Sequence, residues 1–418
     1  MSKYIVHGCS RLDGDITVQG AKNAALPIMA ACILNEGESV LHNVPDIADV
    51  RTMVKILTSI GCIIKWEKSS LIIDSSNISP NNVPENLVSQ MRSSIMLLGA
   101  LIAKFRSVQF SFPGGCDIGL RPIDMHIKGF RDLGADVYED YGDIYVDAAN
   151  LKANNINLSY PSVGATENLM LAAMFSKGVS SISNAAKEPE ILDLQSFLNA
   201  MGARVYGAGT NTIYIEGVES LKSCEYEIMP DRIAAGTLLC AAHMAGGKVF
   251  LRDLPLDIIK APYFHLMDSG MKIEPALGGI IAESDGYIKA LDSLITQPFP
   301  GFPTDLQSQF GAMLSIADGT SIIKETVFEN RFRYTLQLAR MGANIKADGR
   351  IAVATGVKKL HSAQVYAEDL RGGAALAIAA LAAEGATIIE NAEHINRGYD
   401  DFEGQLKSLG ANITYEEN

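Results

Sequence analysis

Apolar residues along this chain follow two periods in turn. Stretches with helical spacing give way to stretches that alternate in and out, and the exchange recurs through all 418 residues. The exchange is itself regular. An apolar residue or serine, then Gly, then a small or apolar residue, appears as Ile60-Gly61-Cys62, Leu133-Gly134-Ala135 and Met201-Gly202-Ala203. It returns as Ser269-Gly270-Met271, Met341-Gly342-Ala343 and Leu409-Gly410-Ala411, with copies about 70 residues apart. Such a period predicts six copies of one supersecondary unit, each burying its faces against its neighbours.

Each copy has the same predicted anatomy. A first apolar helix ends at Gly37, Gly178, Gly247, Gly319 or Gly385, with Phe105-Arg106 in that place in copy two. A β-branched run follows, such as Val249-Phe250-Leu251 or Thr387-Ile388-Ile389. A second helix then runs to the repeated Gly, the residue that enters the left-handed region most cheaply. Pro45, Pro122, Pro189 and Pro255 stand near the starts of second helices, where a missing N–H costs nothing. Alternating strands, as at residues 211–216, close the copy. Six copies divide as three plus three: residues 22–229 in one domain, and residues 1–21 with 230–418 in the other. In this reading the segment 3–20 pairs with the last copy.

Composition narrows the class. With 48% hydrophobic and 20% charged residues the chain can bury a large core. Its longest uncharged apolar run is residues 372–383, against about 20 residues needed to span a bilayer. No apolar signal segment is evident near the N-terminus, so a cytoplasmic location is expected. The six cysteines (Cys9, Cys32, Cys62, Cys116, Cys224, Cys240) include no C-x-x-C pair, which suits a reducing compartment. The seven histidines show no ligand spacing and are expected to be structural or superficial, with no metal site. A net charge of −13 argues against nucleic acid or an anionic membrane as partner.

Chemistry concentrates at helix starts. The first turns of the first helices carry Lys22-Asn23, Arg92, Thr166-Glu167, Asp231-Arg232, Asp305 and Asp369-Leu370-Arg371. Starts of second helices add Arg121, Lys187-Glu188, Glu329-Asn330-Arg331 and Arg397. Helix N-termini favour anions, so the acids have a plain alternative role as caps. Cations there oppose the dipole, and Lys22, Arg92 and Arg371 break that local rule, which points to function. A glycine-flanked cysteine, in Pro113-Gly-Gly-Cys-Asp-Ile-Gly-Leu-Arg-Pro122, adds a thiol five residues from Arg121. A thiol of pKa about 8.5 can serve as an acid, whereas a nearby guanidinium would favour the thiolate nucleophile. The residues alone go no further than an enzyme-like anion site with a mobile cysteine loop.

Taken jointly, these segments resemble the family of UDP-N-acetylglucosamine enolpyruvyl transferases over essentially the full length. The resemblance rests on Gly20-Ala-Lys-Asn-Ala-Ala-Leu-Pro27, the Cys116 loop, Ser162-Val-Gly-Ala-Thr166, Pro230-Asp-Arg232 and Phe302-Pro-Thr-Asp305. Glu329-Asn-Arg331, Asp369-Leu-Arg371 and Asn396-Arg-Gly-Tyr399 complete it. It implies an α/β fold of six βαβαββ repeats in two three-unit domains, an inside-out α/β barrel closing over a cleft. It further implies transfer of the enolpyruvyl group of phosphoenolpyruvate to the 3′-OH of UDP-N-acetylglucosamine by addition and elimination, with release of phosphate and no cofactor. By the same resemblance, Cys116 protonates C3 and can bond to phosphoenolpyruvate. Asp305 handles the sugar hydroxyl proton, and Lys22, Arg121 and Arg397 hold phosphate and carboxylate. Asn23, Arg92, Asp369 and Arg371 line the cleft with Val327 and Arg331. Ser162, Val163 and Gly164, with Arg121, Pro122, Ile123, Asp124 and Met125, hold the nucleotide sugar.

Four positions depart from common family members: Tyr160 and Lys187 where basic residues and arginine are frequent, Tyr334 for histidine, and Asn396 for aspartate. Two rival functions have sequence consequences. 5-Enolpyruvylshikimate-3-phosphate synthase shares the fold but lacks the Pro-Gly-Gly-Cys loop and carries a Ser-Lys-Ser type of segment near Lys22. A non-catalytic sensor of nucleotide sugars would have lost catalytic residues, whereas Cys116, Asp305 and Lys22 are all present.

Overall fold

Each of the six repeated glycines ends a helix in the same way. In the computed structural model, which describes residues 2–8, 11–79, 83–114 and 123–417, all six have positive φ, from 90° at Gly342 to 113° at Gly270. The helix Ala48–Ser59 shows the geometry: Gly61 N–H donates to the Thr58 carbonyl at 3.1 Å and Cys62 N–H to Leu57 at 3.0 Å. This is the Schellman stop, in which the residue after Gly also packs on the residue five positions earlier. The same pair of bonds closes copy four (Gly270 to Met267, Met271 to Leu266) and copy six (Gly410 to Lys407, Ala411 to Leu406). The small or apolar residue after each Gly is thereby explained. In copy two the first helix, Met96–Phe105, stops at Arg106, which takes the left-handed conformation itself (φ 64°).

The chain resolves into two compact units, one containing residues 2–19 and 230–417, the other residues 20–114 and 123–229. Each has its own hydrophobic core. In the second of these, the first helices Lys22–Ala31, Met96–Phe105 and Val163–Ala172 pack on one another. In the other, Arg232–Ala245, Gln307–Leu314 and Leu370–Leu381 do the same, and every residue of those three helices is buried. A helix apolar on all sides must be enclosed. The second helices are amphipathic instead: Ala48–Ser59 buries Asp49, Val50, Met53, Ile56 and Leu57 and exposes the opposite face.

Copy three shows the repeat unbroken. Strands Asn155–Asn157 and Val179–Ser183 pair in parallel through the buried helix between them, and the hairpin Arg204–Tyr206 and Thr212–Glu216 adds antiparallel. That is βαβαββ, and copy five repeats it. Other copies borrow strands from far along the chain. Glu225–Glu227 pairs in parallel with Glu38–His42 of copy one. The N-terminal segment does not pair wholly with the last copy. Only Ser2–His7 inserts into copy six, antiparallel to Ala386–Glu390 and Asn412–Glu417. Leu12–Thr17 instead joins Gly247–Arg252 of copy four in parallel, burying Leu12 and Ile16. Among the described residues no helix is long and apolar enough to cross a membrane.

One buried polar group stands out in these cores. His243, fully buried on the first helix of copy four, bonds Ser284 Oγ through Nδ1 (2.7 Å) and Ser269 Oγ through Nε2 (3.1 Å). Burial pulls its pKa from 6.5 down to about 4. The unfolded chain therefore takes up the proton first as pH falls, so the stability this histidine contributes is complete above pH 6.5 and is lost on the way to pH 4. Wild type should lose about 2 kcal/mol more between pH 7.5 and pH 5 than His243→Gln, which cannot titrate. Denaturant melts of both proteins across that range check this; parallel pH curves would contradict it.

Candidate active site

In the unit of residues 2–19 and 230–417, helix starts converge on one carboxylate. Asp305 lies in the single turn Thr304–Leu306 that leads into the helix Gln307–Leu314. It does not cap that helix. Its Oδ1 accepts from Arg331 Nη2 at 2.5 Å and its Oδ2 from Arg371 Nη2 at 3.1 Å. Both guanidinium side chains are 3% exposed, whereas Asp305 is 26% exposed. The carboxylate is thus the member of the trio that solvent, or a substrate, can reach.

Each arginine is braced. Arg331 also donates to the Thr304 carbonyl and lies over the Phe328 ring, 5.7 Å from its centroid. Arg371 stands in the first turn of the helix Leu370–Leu381, over the Tyr399 ring at 5.6 Å. Burial alone would lower the Arg371 pKa, but the Asp305 carboxylate, then Tyr399 and Asp231, more than reverse this, so the guanidinium stays charged. Its Nη1 is buried with no hydrogen-bond partner among the described residues. Asp369 does cap its helix: Oδ1 accepts from the N–H groups of Arg371 (2.9 Å) and Gly372 (3.0 Å). Asp231 likewise caps Arg232–Ala245 through Ile233 and Ala234. Arg397 ends the turn Ala392–Arg397, half-buried, two residues before Tyr399. The backbone after it is clamped by Gln19, which donates to the Gly398 carbonyl and accepts from Asp400 N–H.

In the other unit, Lys22 begins the helix Lys22–Ala31 with its ammonium 3.0 Å from Asp49 Oδ2. Lys22 is 13% and Asp49 6% exposed, so this is a largely desolvated ion pair and not a solvated surface lysine. Sequence reasoning missed Asp49, which looks like an ordinary first-turn acid of a second helix; only the fold brings it to Lys22. Asn23 is half-buried beside it. Arg92, also half-buried, opens the turn Arg92–Ile95 and donates to the Pro113 carbonyl at 3.3 Å, next to the glycine loop.

A third group comes together in the same unit. Ser162 caps the helix Val163–Ala172 by accepting from Ala165 N–H. Gly164 is closely packed: a Cβ there would lie 3.0 Å from the Met96 Cε methyl and 3.5 Å from the His126 ring. Asn168 locks the arrangement, donating to the Ile95 carbonyl, accepting from Gly99 N–H and bonding His126 Nδ1. His126 belongs to the helix Asp124–Asp132, so Ile123, Asp124 and Met125 are held near Ser162, Val163 and Gly164. A cavity of about 220 Å³ lies alongside, between Met125, Gly129, Leu158 and Ser159.

Val327 bonds through its N–H to the buried Glu325, four residues before Arg331. Cys116, Arg121 and Pro122 lie outside the described residues. Of the other cysteines, Cys32, Cys62 and Cys240 are buried. Burial pushes the Cys62 thiol up to about 12 and raises Cys32, Cys224 and Cys240 as well, which makes them poor nucleophiles.

Comparison with known proteins identifies the family. The family model of EPSP synthase (3-phosphoshikimate 1-carboxyvinyltransferase) matches residues 6–406. UDP-N-acetylglucosamine 1-carboxyvinyltransferase 2 of Caldanaerobacter subterraneus subsp. tengcongensis is 52% identical over 413 residues, 99% of each chain. The UDP-N-acetylglucosamine 1-carboxyvinyltransferase of Trichlorobacter lovleyi is 45% identical, again over 99% of each. Among solved structures, the enolpyruvyl transferase NikO from Streptomyces tendae superposes with a TM-score of 0.89 at 22% identity, covering 99% of this chain and 98% of its own. EPSP synthase from Acinetobacter baumannii gives 0.77 at 16% identity over the whole of both chains. These two share the enolpyruvyl transferase fold with this chain, and at such identity they show the fold alone. Six copies of one helix-and-strand repeat, helix starts lined with paired charges, and identity sustained across the full length all agree: the chain belongs to the enolpyruvyl transferase family, alongside the UDP-N-acetylglucosamine 1-carboxyvinyltransferases.

Proposed function

We propose that this chain transfers the enolpyruvyl group of phosphoenolpyruvate to the 3′-OH of UDP-N-acetylglucosamine, releasing phosphate, as the first committed step of peptidoglycan synthesis. The observation that carries the reading is Asp305: a partly exposed carboxylate gripped on both oxygens by two buried guanidinium groups. In the reaction the 3′-oxygen bonds to C2 of phosphoenolpyruvate while a proton adds to C3. Phosphate then leaves C2 as C3 gives up a proton, restoring the double bond. Asp305 is fixed to accept the hydroxyl proton as the oxygen attacks, which is general base catalysis by a positioned group. Charge growing at C2 and on the phosphate is met by fixed cations, for which Lys22, Arg121 and Arg397 are suited. Arg371, whose Nη1 is a buried donor with no hydrogen-bond partner among the described residues, supplies a further ligand for substrate oxygen. Cys116 serves as the acid at C3. Ile123, Asp124 and Met125, with Ser162, Val163 and Gly164, hold the nucleotide sugar, and the chemistry needs no cofactor.

Asp305→Asn keeps shape and an acceptor but removes the base. Turnover should fall about 10²–10⁴-fold with substrate binding largely kept. Steady-state kinetics beside calorimetric binding of UDP-N-acetylglucosamine tests this, and normal turnover would refute the assignment.

Lys22 needs a different design, because Lys22→Ala takes a cation away from the Asp49 carboxylate at 6% exposure. That variant should lose activity and melt lower. Adding Asp49→Asn should restore the melting temperature without restoring turnover; recovery of both would make the lysine structural.

An epoxide inhibitor of the fosfomycin type should alkylate Cys116 and none of the described cysteines, whose thiol pKa values are raised. Peptide mapping that found the label on Cys62 or Cys240 would count against the cysteine assignment.

A further inference from the structure

Behind Asp305 lies a second, more deeply buried carboxylate. Glu325 is fully buried at the end of the strand Thr320–Lys324. A buried ionised carboxylate is costly unless its lone pairs are filled. Here four donors fill them. Oε1 accepts from Thr296 Oγ1 (2.9 Å) and from the backbone N–H groups of Val327 (2.7 Å) and Phe328 (3.1 Å). Oε2 accepts from Thr304 Oγ1 at 2.9 Å.

The four donors belong to different parts of the candidate site. Val327 and Phe328 begin the segment that leads to Arg331, with Phe328 giving the ring beneath its guanidinium. Thr304 immediately precedes Asp305, and its carbonyl is a second acceptor for Arg331. Thr296 anchors the assembly from the other side, since its hydroxyl also accepts from Thr326 N–H and its carbonyl from Thr326 Oγ1. One side chain thus ties the turn bearing Asp305 to the segment bearing Arg331. The two tied pieces then meet again through the 2.5 Å Arg331–Asp305 bond.

We propose that Glu325, acting through the Thr304 hydroxyl, is a positioning residue for the Asp305 carboxylate. This rests on the reading of Asp305 as the base. Its place is inside the protein, and it touches no substrate. The Thr304 hydroxyl donates to Oε2, while the backbone N–H groups of Val327 and Phe328 donate to Oε1. Loss of this bond frees the turn to shift relative to Arg331, and a base misplaced by a fraction of an ångström loses rate while substrate affinity survives.

Four proteins test it: Thr304→Val, Thr304→Ser, Glu325→Gln and the double variant Thr304→Val/Glu325→Gln, with Asp305→Asn as a reference. Thr304→Val removes the donor, and Glu325→Gln puts an amide where Oε2 accepted. Each should lower kcat about 10–100-fold with KM for both substrates within about two-fold, and Thr304→Ser should restore the rate. The double variant should be no slower than the worse single one, because both act on the same Thr304–Glu325 contact, which Thr304→Val removes and Glu325→Gln reverses in direction. Circular dichroism melts measured on the same samples separate misfolding from misplacement. Wild-type kcat in Thr304→Val, or losses that multiply in the double variant, would overturn the proposal. If Asp305→Asn itself turns over normally, the reading of the site fails instead, which is a distinguishable outcome.

Discussion

Six helices in this chain are apolar on nearly every side, and that constraint governs everything else. Such a helix is stable only when surrounded, so three of them pack together at the centre of each unit with amphipathic helices and half-exposed sheets around them. A side chain along a buried helix has no access to ligand. Only the helix starts can carry charge outward, and Lys22, Asp305 and Arg371 stand there. The position of the chemistry therefore follows from the hydrophobic pattern.

The second consequence is electrostatic. Charged groups at the edge of an apolar core must be paired, and the pairs found here are asymmetric in exposure. Lys22 is set against the more deeply buried Asp49, whereas Asp305 is set against two arginines more deeply buried than itself. In each case the deeper partner fixes the shallower one in place, and the shallower one faces outward. Arrangements of this kind cost little reorganisation when a charged substrate arrives.

Much of this was legible in the sequence. The six Gly positions predicted six helix stops because the Schellman geometry demands both a left-handed residue and a small or apolar follower, as Gly61-Cys62 and Gly270-Met271 show. Charges opposing the helix dipole marked Lys22, Arg92 and Arg371. What the sequence could not show depends on long-range closure. Leu12–Thr17 was expected beside the last copy and instead pairs with copy four, because register is decided by which sheet lacks a strand and not by local pattern. Asp49 and Glu325 were invisible for a related reason: each looks like an ordinary acid until the fold brings Lys22 to one and Thr304 to the other. Asp305, read from the chain as a possible cap, makes ion pairs in its place, while Asp369 takes the capping role.

The rival within the family is transfer to a phosphorylated carbocycle instead of a nucleotide sugar, and one assay separates them. Inorganic phosphate release from phosphoenolpyruvate would be followed with UDP-N-acetylglucosamine, with shikimate 3-phosphate, and with each substrate omitted in turn. The account predicts release only when phosphoenolpyruvate and UDP-N-acetylglucosamine are both present. Release with shikimate 3-phosphate, or none with the nucleotide sugar, would contradict it.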